Sequence, residues 1–349
     1  MLLLSCFTLL CFCYVTAYTE VYNKNNNDDV KVQTQYEFEV DLNIGSPAKQ
    51  YTFGIDIQSE DSWIYSSSCE GLSHHRDVDL YIPNNSKTFK NLSTTFEKTY
   101  DNIGRASQVS GYAISDSFKL SNGGTAQNKI NLITSLKYTD ITQNEYSNFY
   151  SGLLGLGVPH NNNKDWIGNY MFTGYRQVMC LGNVGDNLAF RSFGSFPNNM
   201  MTYNNLSQHI IHQEADLWTI NVNKFRFGKY ILGKFLYAAP STLTSAILLP
   251  NNVFSIVLRT LGASEQNGNY YVNCDKKDLP ALEIQVGTTW ITVTSERYID
   301  RSEDSNCKLL LKPSASDTNV TLGTAFFNDH SFCLNYEEKL LHFIEPVLH

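Results

Sequence analysis

One short stretch decides how this chain folds: residues 56–64, which read Asp-Ile-Gln-Ser-Glu-Asp-Ser-Trp-Ile. Upstream, residues 36–47 alternate polar and apolar side chains and end in Gly-Ser-Pro, a pattern typical of a half-buried strand with a turn. Residues 50–55 predict a second strand, which brings Asp56 to its end. An acidic residue at the end of an apolar strand costs free energy unless it is hydrogen-bonded or functional. Asp56 is therefore a candidate for chemistry, and a purely structural role as a carboxylate that caps a turn stays open.

This stretch resembles the first active-site arm of the pepsin-like aspartic proteases, in which a turn and an apolar strand lead into Asp-Thr-Gly-Ser and a later Trp. The chain keeps the Asp as Asp56 and the Trp as Trp63. Ile57 stands in place of the Thr, and Gln58 stands in place of the Gly. The resemblance implies an all-β, bilobal fold with a cleft between two lobes of similar topology. It also implies a substrate-binding role for Trp63.

The resemblance extends over most of the chain. Residues 84–118 resemble the hairpin that closes over the cleft in this family, and Tyr100 falls on its tyrosine, which implies a substrate-binding role. Residues 152–157 resemble the glycine-flanked apolar strand that threads beneath the first catalytic Asp. Residues 217–222 and 321–327 resemble strands and a closing motif of the second lobe. We expect a first lobe at residues 18–196 and a second lobe at residues 197–349.

The second active-site arm is predicted within residues 239–250, because the repeat should place it before Leu322-Gly323. Set against the family's Asp-Thr-Gly-Thr-Ser, this stretch matches at Thr242 and puts Ser241 on the second catalytic Asp. A shifted register would put Tyr237 there. Neither register supplies a carboxylate.

Peptide hydrolysis in this family requires two carboxylates that share a proton, one acting as general base and the other as general acid. A serine at neutral pH fills neither role. General acid–base participation is typically worth ~10²–10⁴-fold, so hydrolysis is expected to fall by orders of magnitude. Three further departures cluster at the same site: Leu243 replaces the second glycine, and Ser151 and Thr324 replace acidic residues. This pattern predicts a retained fold with lost chemistry.

The sequence also predicts the compartment. Residues 1–17 form an apolar run that ends in Val-Thr-Ala, typical of a cleaved signal peptide, and no later stretch is long and apolar enough to span a membrane. We therefore expect a secreted, extracellular protein. The sequons are expected to carry glycans: Asn84, Asn91, Asn205 and Asn319. The formal net charge of −8 argues against nucleic acid as a partner.

Five cysteines remain after removal of residues 1–17: Cys69, Cys180, Cys274, Cys307 and Cys333. An odd number in an oxidising compartment predicts one free or intermolecular thiol. The family resemblance implies a disulfide between Cys274 and Cys307, and the pairing of the other three stays open.

The leading hypothesis is a secreted, glycosylated homologue of the pepsin-like proteases that binds a peptide or protein without cleaving it. One alternative is an active aspartic endopeptidase that uses Asp56 with a carboxylate placed elsewhere. Another is an interaction protein that binds through a different surface. We expect a monomer without a cofactor. We also expect no metal site, since His74-His75 with Asp77 and Asp79 is typical of a polar surface loop.

Overall fold

The computed structural model describes residues 18–23, 38–72, 79–99, 108–119, 125–137, 150–160, 163–172, 176–183, 188–193, 206–209, 218–232, 236–276, 278–301, 306–327 and 330–344. The predicted signal peptide at residues 1–17 lies outside these ranges, as do Tyr100, Asn205 and the His74-His75 pair.

Where the structure describes it, the first half of the chain is built from strands and two short helical segments. The strands are β1 (Tyr18–Asn23), β2 (Glu39–Ile44), β3 (Lys49–Asp56), β4 (Trp63–Glu70), β5 (Lys90–Thr99), β6 (Gln108–Lys119), β7 (Thr125–Lys137), β8 (Gly152–Gly155), β9 (Val178–Asn183), β10 (Leu188–Phe193) and β11 (Leu206–His209). The helical segments are a 3₁₀ turn at Pro83–Asn85 and α1 (Ile167–Met171).

The second half adds shorter strands and three helices. The strands are β12 (Ile220–Val222), β13 (Lys224–Phe227), β14 (Tyr230–Leu232), β15 (Leu236–Pro240), β16 (Ile247–Leu249), β17 (Ser264–Gln266), β18 (Asn269–Asn273), β19 (Leu282–Val286), β20 (Thr289–Val293), β21 (Ile299–Asp300), β22 (Asn306–Leu309), β23 (Leu311–Pro313), β24 (Asn319–Leu322), β25 (Ser331–Asn335) and β26 (Leu340–Ile344). The helices are α2 (Asn251–Leu261), α3 (Ser295–Tyr298) and α4 (Thr324–Phe327).

The two halves repeat one arrangement of five strands. In the first half a seven-stranded sheet contains the run β2-β3-β8-β4-β7, and in the second half a five-stranded sheet has the order β12-β15-β24-β16-β23. Corresponding neighbours run in the same relative direction: β3 is parallel to β8 as β15 is to β24, and β4 is parallel to β7 as β16 is to β23. The predicted all-β fold with two lobes of similar topology is therefore confirmed.

A third sheet joins the halves. Its order is β1-β10-β9-β25-β26-β11, so strands from the beginning, middle and end of the chain lie side by side. Across its centre, Cys180 of β9 lies directly opposite Cys333 of β25, and the two form a disulfide. The predicted lobe boundary falls within residues 194–205, which lie outside the described residues, and it stays a prediction.

Two smaller sheets complete the second half, with orders β14-β13-β19-β20 and β17-β18-β22-β21. Cys274 and Cys307 form a disulfide that ties β22 to the residue after β18, the pair that the family resemblance implied. Helix α2 follows the second arm directly and buries Val253, Phe254, Val257 and Leu261 on one face. No helix among the described residues is long and apolar enough to cross a membrane.

Candidate active site

Asp56 ends β3, where it lies opposite Gly155 of β8 and is buried. Its backbone carbonyl accepts a hydrogen bond from the N–H of Leu156 at 2.7 Å, and its carboxylate oxygen Oδ1 accepts one from the N–H of Gln58 at 2.8 Å. Gly155 carries no side chain because a Cβ there would collide with the backbone of Asp61. The loop after Asp56 therefore folds back over the end of β8, and this close contact holds the carboxylate in place.

The second arm repeats this geometry with a serine. Strand β15 is paired with β24 so that Pro240 lies opposite Leu322, and the next residue, Ser241, donates its N–H to the carbonyl of Leu322 at 2.8 Å. Ser241 thus comes level with Gly323, as Asp56 comes level with Gly155. The alternative residue, Tyr237, lies inside β15 opposite Asn319. Register thus makes Ser241, and not Tyr237, the counterpart of Asp56.

The local hydrogen bonding of Ser241 also copies that of Asp56. The N–H of Leu243 donates to the Ser241 hydroxyl oxygen at 3.3 Å, just as the N–H of Gln58 donates to the Asp56 carboxylate. The serine side chain is buried. A hydroxyl therefore stands where the first arm has a carboxylate oxygen, and it accepts the same type of backbone hydrogen bond.

The two arms are joined across the interface by side chains that reach the opposite backbone. Thr242 donates its hydroxyl to the carbonyl of Ile55, the residue before Asp56. In the opposite direction, the Gln58 amide nitrogen Nε2 donates to the carbonyl of Pro240, the residue before Ser241, at 3.3 Å. The side chain of Ile57 has no hydrogen-bond donor, so Gln58 makes the contact from the first arm to the second. From the sequence, Gln58 was recognised only as a replacement for glycine, although its side-chain amide was a signal for this contact.

Leu243 crosses the interface into the first lobe. Its side chain is only 4 % exposed, and it belongs to an apolar cluster whose other buried members all come from the first half of the chain. These are Trp63, Tyr65, Val109, Ile133, Leu136, Tyr150 and Leu153. Leu153 lies in β8, the strand paired with Asp56. The Leu243 side chain therefore fills apolar space close to the carboxylate. A glycine at this position would leave that space empty.

The predicted substrate-binding residues are placed as follows. Trp63 is almost fully buried in the same cluster as Leu243 and meets Tyr65 edge to face, with ring centroids 4.9 Å apart. A ligand could reach only a small part of its ring, and its binding role stays a prediction. Tyr100 lies outside the described residues.

The two acidic side chains nearest to Asp56 in sequence have other partners. Glu60 accepts a hydrogen bond from the N–H of His160 at 2.9 Å and another from the side chain of Asn163 at 3.2 Å. Asp61 forms an ion pair with Lys98 of β5 at 2.9 Å. The same Lys98 ammonium donates to the hydroxyl of Ser59. Both carboxylates are therefore engaged by residues from the first half of the chain.

Beneath the arms, buried donors hold the end of β8. The Tyr336 hydroxyl donates to the carbonyl of Leu156 at 2.6 Å, and the indole N–H of Trp166 donates to the carbonyl of Gly155 at 3.2 Å. Burial raises the pKa of Tyr336 well above its usual value, so the hydroxyl keeps its proton and remains a donor. Tyr336 comes from the second half of the chain, so this contact also links the lobes.

The predicted modification sites lie at the surface where the structure describes them. The side chains of Asn84, Asn91 and Asn319 are exposed. Among the cysteines that the structure describes, Cys69 is the free one, and burial raises the pKa of its thiol to about 11. Within the described part of the chain, no group of three or more His, Cys, Asp or Glu side chains could hold a metal ion.

Comparison with known proteins agrees with this geometry. The family model described as eukaryotic aspartyl protease matches residues 36–345. Rhizopuspepsin-1 of Rhizopus niveus is 24 % identical over 326 residues, which cover 88 % of this chain and 78 % of that protein. Gastricsin of Rattus norvegicus is 24 % identical over 294 residues, covering 78 % and 70 %. Renin of Echis ocellatus is 22 % identical over 301 residues, with the same coverage of 78 % and 70 %.

Proposed function

Because this chain belongs to the eukaryotic aspartyl protease family, we propose that it keeps the family's cleft as a binding site for a peptide or protein segment and does not hydrolyse peptide bonds. The observation that carries the proposal is the identity of Ser241, which is level with Gly323 as Asp56 is level with Gly155. In this proposal the protein is secreted and glycosylated, and it binds a peptide or protein segment although it belongs to a family of proteases.

The chemical argument rests on the pair of roles that hydrolysis requires. One group must take a proton from the attacking water while the other gives a proton to the leaving amine. Two neighbouring carboxylates can do this because their mutual repulsion separates their pKa values. A serine hydroxyl stays protonated at every pH at which proteins of this kind are folded, so Ser241 and Asp56 cannot divide the roles between them.

The replaced glycines support the same conclusion. The Gln58 side-chain amide donates a hydrogen bond to the carbonyl of Pro240, and Leu243 fills apolar space beside β8. Both side chains strengthen contact between the lobes at the floor of the cleft. A ligand in this cleft would therefore rest on a filled floor, and its apolar side chains could not occupy the volume that Leu243 already takes.

Secretion and glycosylation are supported by the oxidised cysteine pairs and the exposed sequons. Disulfides form and persist in oxidising compartments. Expression through a secretory pathway should yield a protein that begins near Tyr18 and loses mass on enzymatic removal of N-glycans. Retention of residues 1–17 in the mature protein would contradict the proposed signal peptide.

The catalytic test uses an unfolded protein as substrate at acid pH, with fragments detected by mass spectrometry. Wild type and Asp56→Ala should both leave the substrate intact. Ser241→Asp combined with Leu243→Gly should gain slow cleavage that a statyl-type inhibitor blocks. Thr244→Asp with Leu243→Gly is the matched control, because it adds a carboxylate to the same arm away from the counterpart position. Cleavage by wild type that is lost in Asp56→Ala would instead establish the active endopeptidase.

The binding test is independent of cleavage. The secreted protein, immobilised through its C terminus, is exposed to peptides from a digested unfolded protein, and retained peptides are identified by mass spectrometry. Enrichment of a common sequence pattern, altered in Leu243→Ala, supports a ligand in the cleft. Retention that is unchanged by Leu243→Ala would place the bound peptides away from the floor of the cleft.

A further inference from the structure

The hairpin formed by β13 and β14 exposes an unusual amount of apolar surface. Within the described residues, large apolar side chains are strongly exposed at Ile82, Leu92, Tyr230 and Ile231. Two of these lie next to each other in the three-residue strand β14, with Ile231 at 59 % exposure and Tyr230 at 38 %. Strand β14 is the outermost strand of the sheet β14-β13-β19-β20. The exposed residues therefore lie at a sheet edge.

The backbone of Ile231 faces outward at this edge. A two-residue turn at Gly228-Lys229, with Gly228 at a φ of 57°, makes Phe227 and Tyr230 the closing pair of the hairpin. The closing pair of such a hairpin exchanges hydrogen bonds, so the next pair, Arg226 and Ile231, is a non-hydrogen-bonded pair. The N–H and C=O of Ile231 then point away from β13. No strand in the described part of the chain pairs with that side.

The face beside this edge carries a fixed arginine and a tryptophan. Arg226 lies opposite Ile231 and donates two hydrogen bonds to the carboxylate of Glu283 on β19. Its guanidinium stacks over the ring of Trp290, 4.5 Å from the centroid. Held from two sides, this arginine gives up little conformational freedom on binding a partner. Trp290 lies on β20 at the far edge of the sheet, where it supports the arginine, and Arg226 is the residue beside Ile231. Arginine is among the side chains that dominate binding energy at protein interfaces.

The charge at this edge is opposite to that of the whole chain. Lys224 and Lys229 are exposed, and neither forms an ion pair in the described structure. Glu283 neutralises Arg226, so the hairpin keeps a net positive charge in a chain of formal net charge −8. A second copy of this hairpin would bring the same lysines and be repelled. Edge lysines thereby disfavour self-pairing while they favour an acidic strand.

We propose that the outer edge of β14 is a docking site for an extended acidic segment of another protein. The segment adds as a further strand, and its backbone pairs with the N–H and C=O of Ile231. Main-chain hydrogen bonds supply affinity in this mode of recognition, and alternate side chains supply specificity. An apolar side chain of the segment covers Ile231, and acidic side chains lie near Lys224 and Lys229. This surface is separate from the cleft, so the proposal does not depend on the proposed function.

The probe is a fluorescent peptide of about eight residues that alternates Glu and Val, a length that spans an ordinary strand. Fluorescence anisotropy should show that it binds wild type, and that binding weakens at least about tenfold in Ile231→Asn and in the charge-reversed pair Lys224→Glu/Lys229→Glu. Leu92→Gln is the matched control, because it removes an exposed apolar side chain from β5 without creating a sequon and should leave binding unchanged. Thermal melts of the three variants report whether each one is folded.

Three outcomes would overturn the proposal. The first is no binding of the acidic peptide to wild type, or equal binding of a peptide that alternates Lys and Val. The second is equal binding of an acidic peptide N-methylated at every residue, which has no backbone N–H with which to pair as a strand. The third is a wild-type dimer in sedimentation that Ile231→Asn dissociates, which would make a second copy the occupant of this edge.

Discussion

The disulfide between Cys180 and Cys333 offers a direct test of how the halves of this chain are held together. The two residues face each other across β9 and β25 in the sheet that joins the halves, and both are fully buried. The perturbation is the double variant Cys180→Ala/Cys333→Ala. It removes the covalent link while leaving the strand pairing on either side intact.

The expected size of the effect follows from the length of chain that the link closes. The cysteines are 153 residues apart in sequence, which corresponds to roughly 5 kcal/mol of stabilisation at 25 °C in the loop-entropy treatment of the unfolded chain. The matched pair, Cys274 and Cys307, is separated by 33 residues, which corresponds to roughly 4 kcal/mol. We therefore expect the longer link to contribute about 1 kcal/mol more than the shorter one.

The assay is equilibrium urea unfolding of wild type and of each double alanine variant without reductant. The Cys180/Cys333 variant should unfold at the lowest urea concentration. A second readout uses limited proteolysis between residues 180 and 274, where only the Cys180–Cys333 disulfide can hold the two fragments together. The nicked wild type should run as one species on a denaturing gel without reductant and as two species with it, whereas the variant should separate in both conditions.

Three results would refute the reasoning. If the Cys180/Cys333 variant unfolds with the free energy of wild type, the link does not restrict the unfolded chain as its length requires. If the Cys274/Cys307 variant is the less stable of the two, loop length does not set the order. Separation of nicked wild type without reductant would show that the disulfide itself is not formed.

Three further predictions concern single side chains. Thr242→Val should cost about 1–3 kcal/mol in urea unfolding, because the buried carbonyl of Ile55 loses its donor, whereas Thr318→Val at an exposed site should be nearly neutral. Burial lowers the pKa of His342 below 6.5, so its contribution to stability is complete above that pH and is lost as pH falls towards the lowered pKa. His342→Gln should flatten this part of the pH dependence of the melting temperature. Burial raises the pKa of Cys69 to about 11 from 9.0, so iodoacetamide at neutral pH should react with it on the order of a hundredfold faster once the protein is unfolded in urea.

The sequence was sufficient to predict the all-β, two-lobed fold and the first arm. Alternating polar and apolar residues before Asp56 belong to a strand with one buried face, and that face is a local property of the sequence. The glycines of residues 152–157 were informative for a similar reason, since a Cβ at Gly155 would meet the backbone of the Asp56 loop. Where two backbone segments pass this close to each other, the sequence must have a glycine, and this can be recognised without the structure. The sequence predicted the position of the second arm less definitely, because its strands are short and only the pairing of β15 with β24 fixes the register.

The contacts across the interface could not be predicted. The residues at positions 180 and 333 pair because β9 and β25 are neighbours, which no local pattern indicates, and cysteine connectivity is undetermined by sequence alone. The same holds for Leu243. Its neighbours in sequence are polar, and the other buried members of its apolar cluster lie between Trp63 and Leu153, 90 to 180 residues upstream. A leucine among polar neighbours in the sequence indicates that its side chain is buried. The residues that it packs against are determined by the tertiary fold.

Gln58 and Leu243 are two departures from the family's pattern of residues at this site. Both occupy positions where the family resemblance implies glycine, and both send a side chain across the interface, one to the carbonyl of Pro240 and the other into the first lobe. A glycine keeps the space around a reacting group open, while a side chain that spans the interface restricts the movement of one lobe against the other. The two replacements therefore act in the same direction. They fill space near Asp56 and add contacts between the lobes. The proposed binding role requires no opening and closing of the lobes at each turnover, so these added contacts are compatible with it.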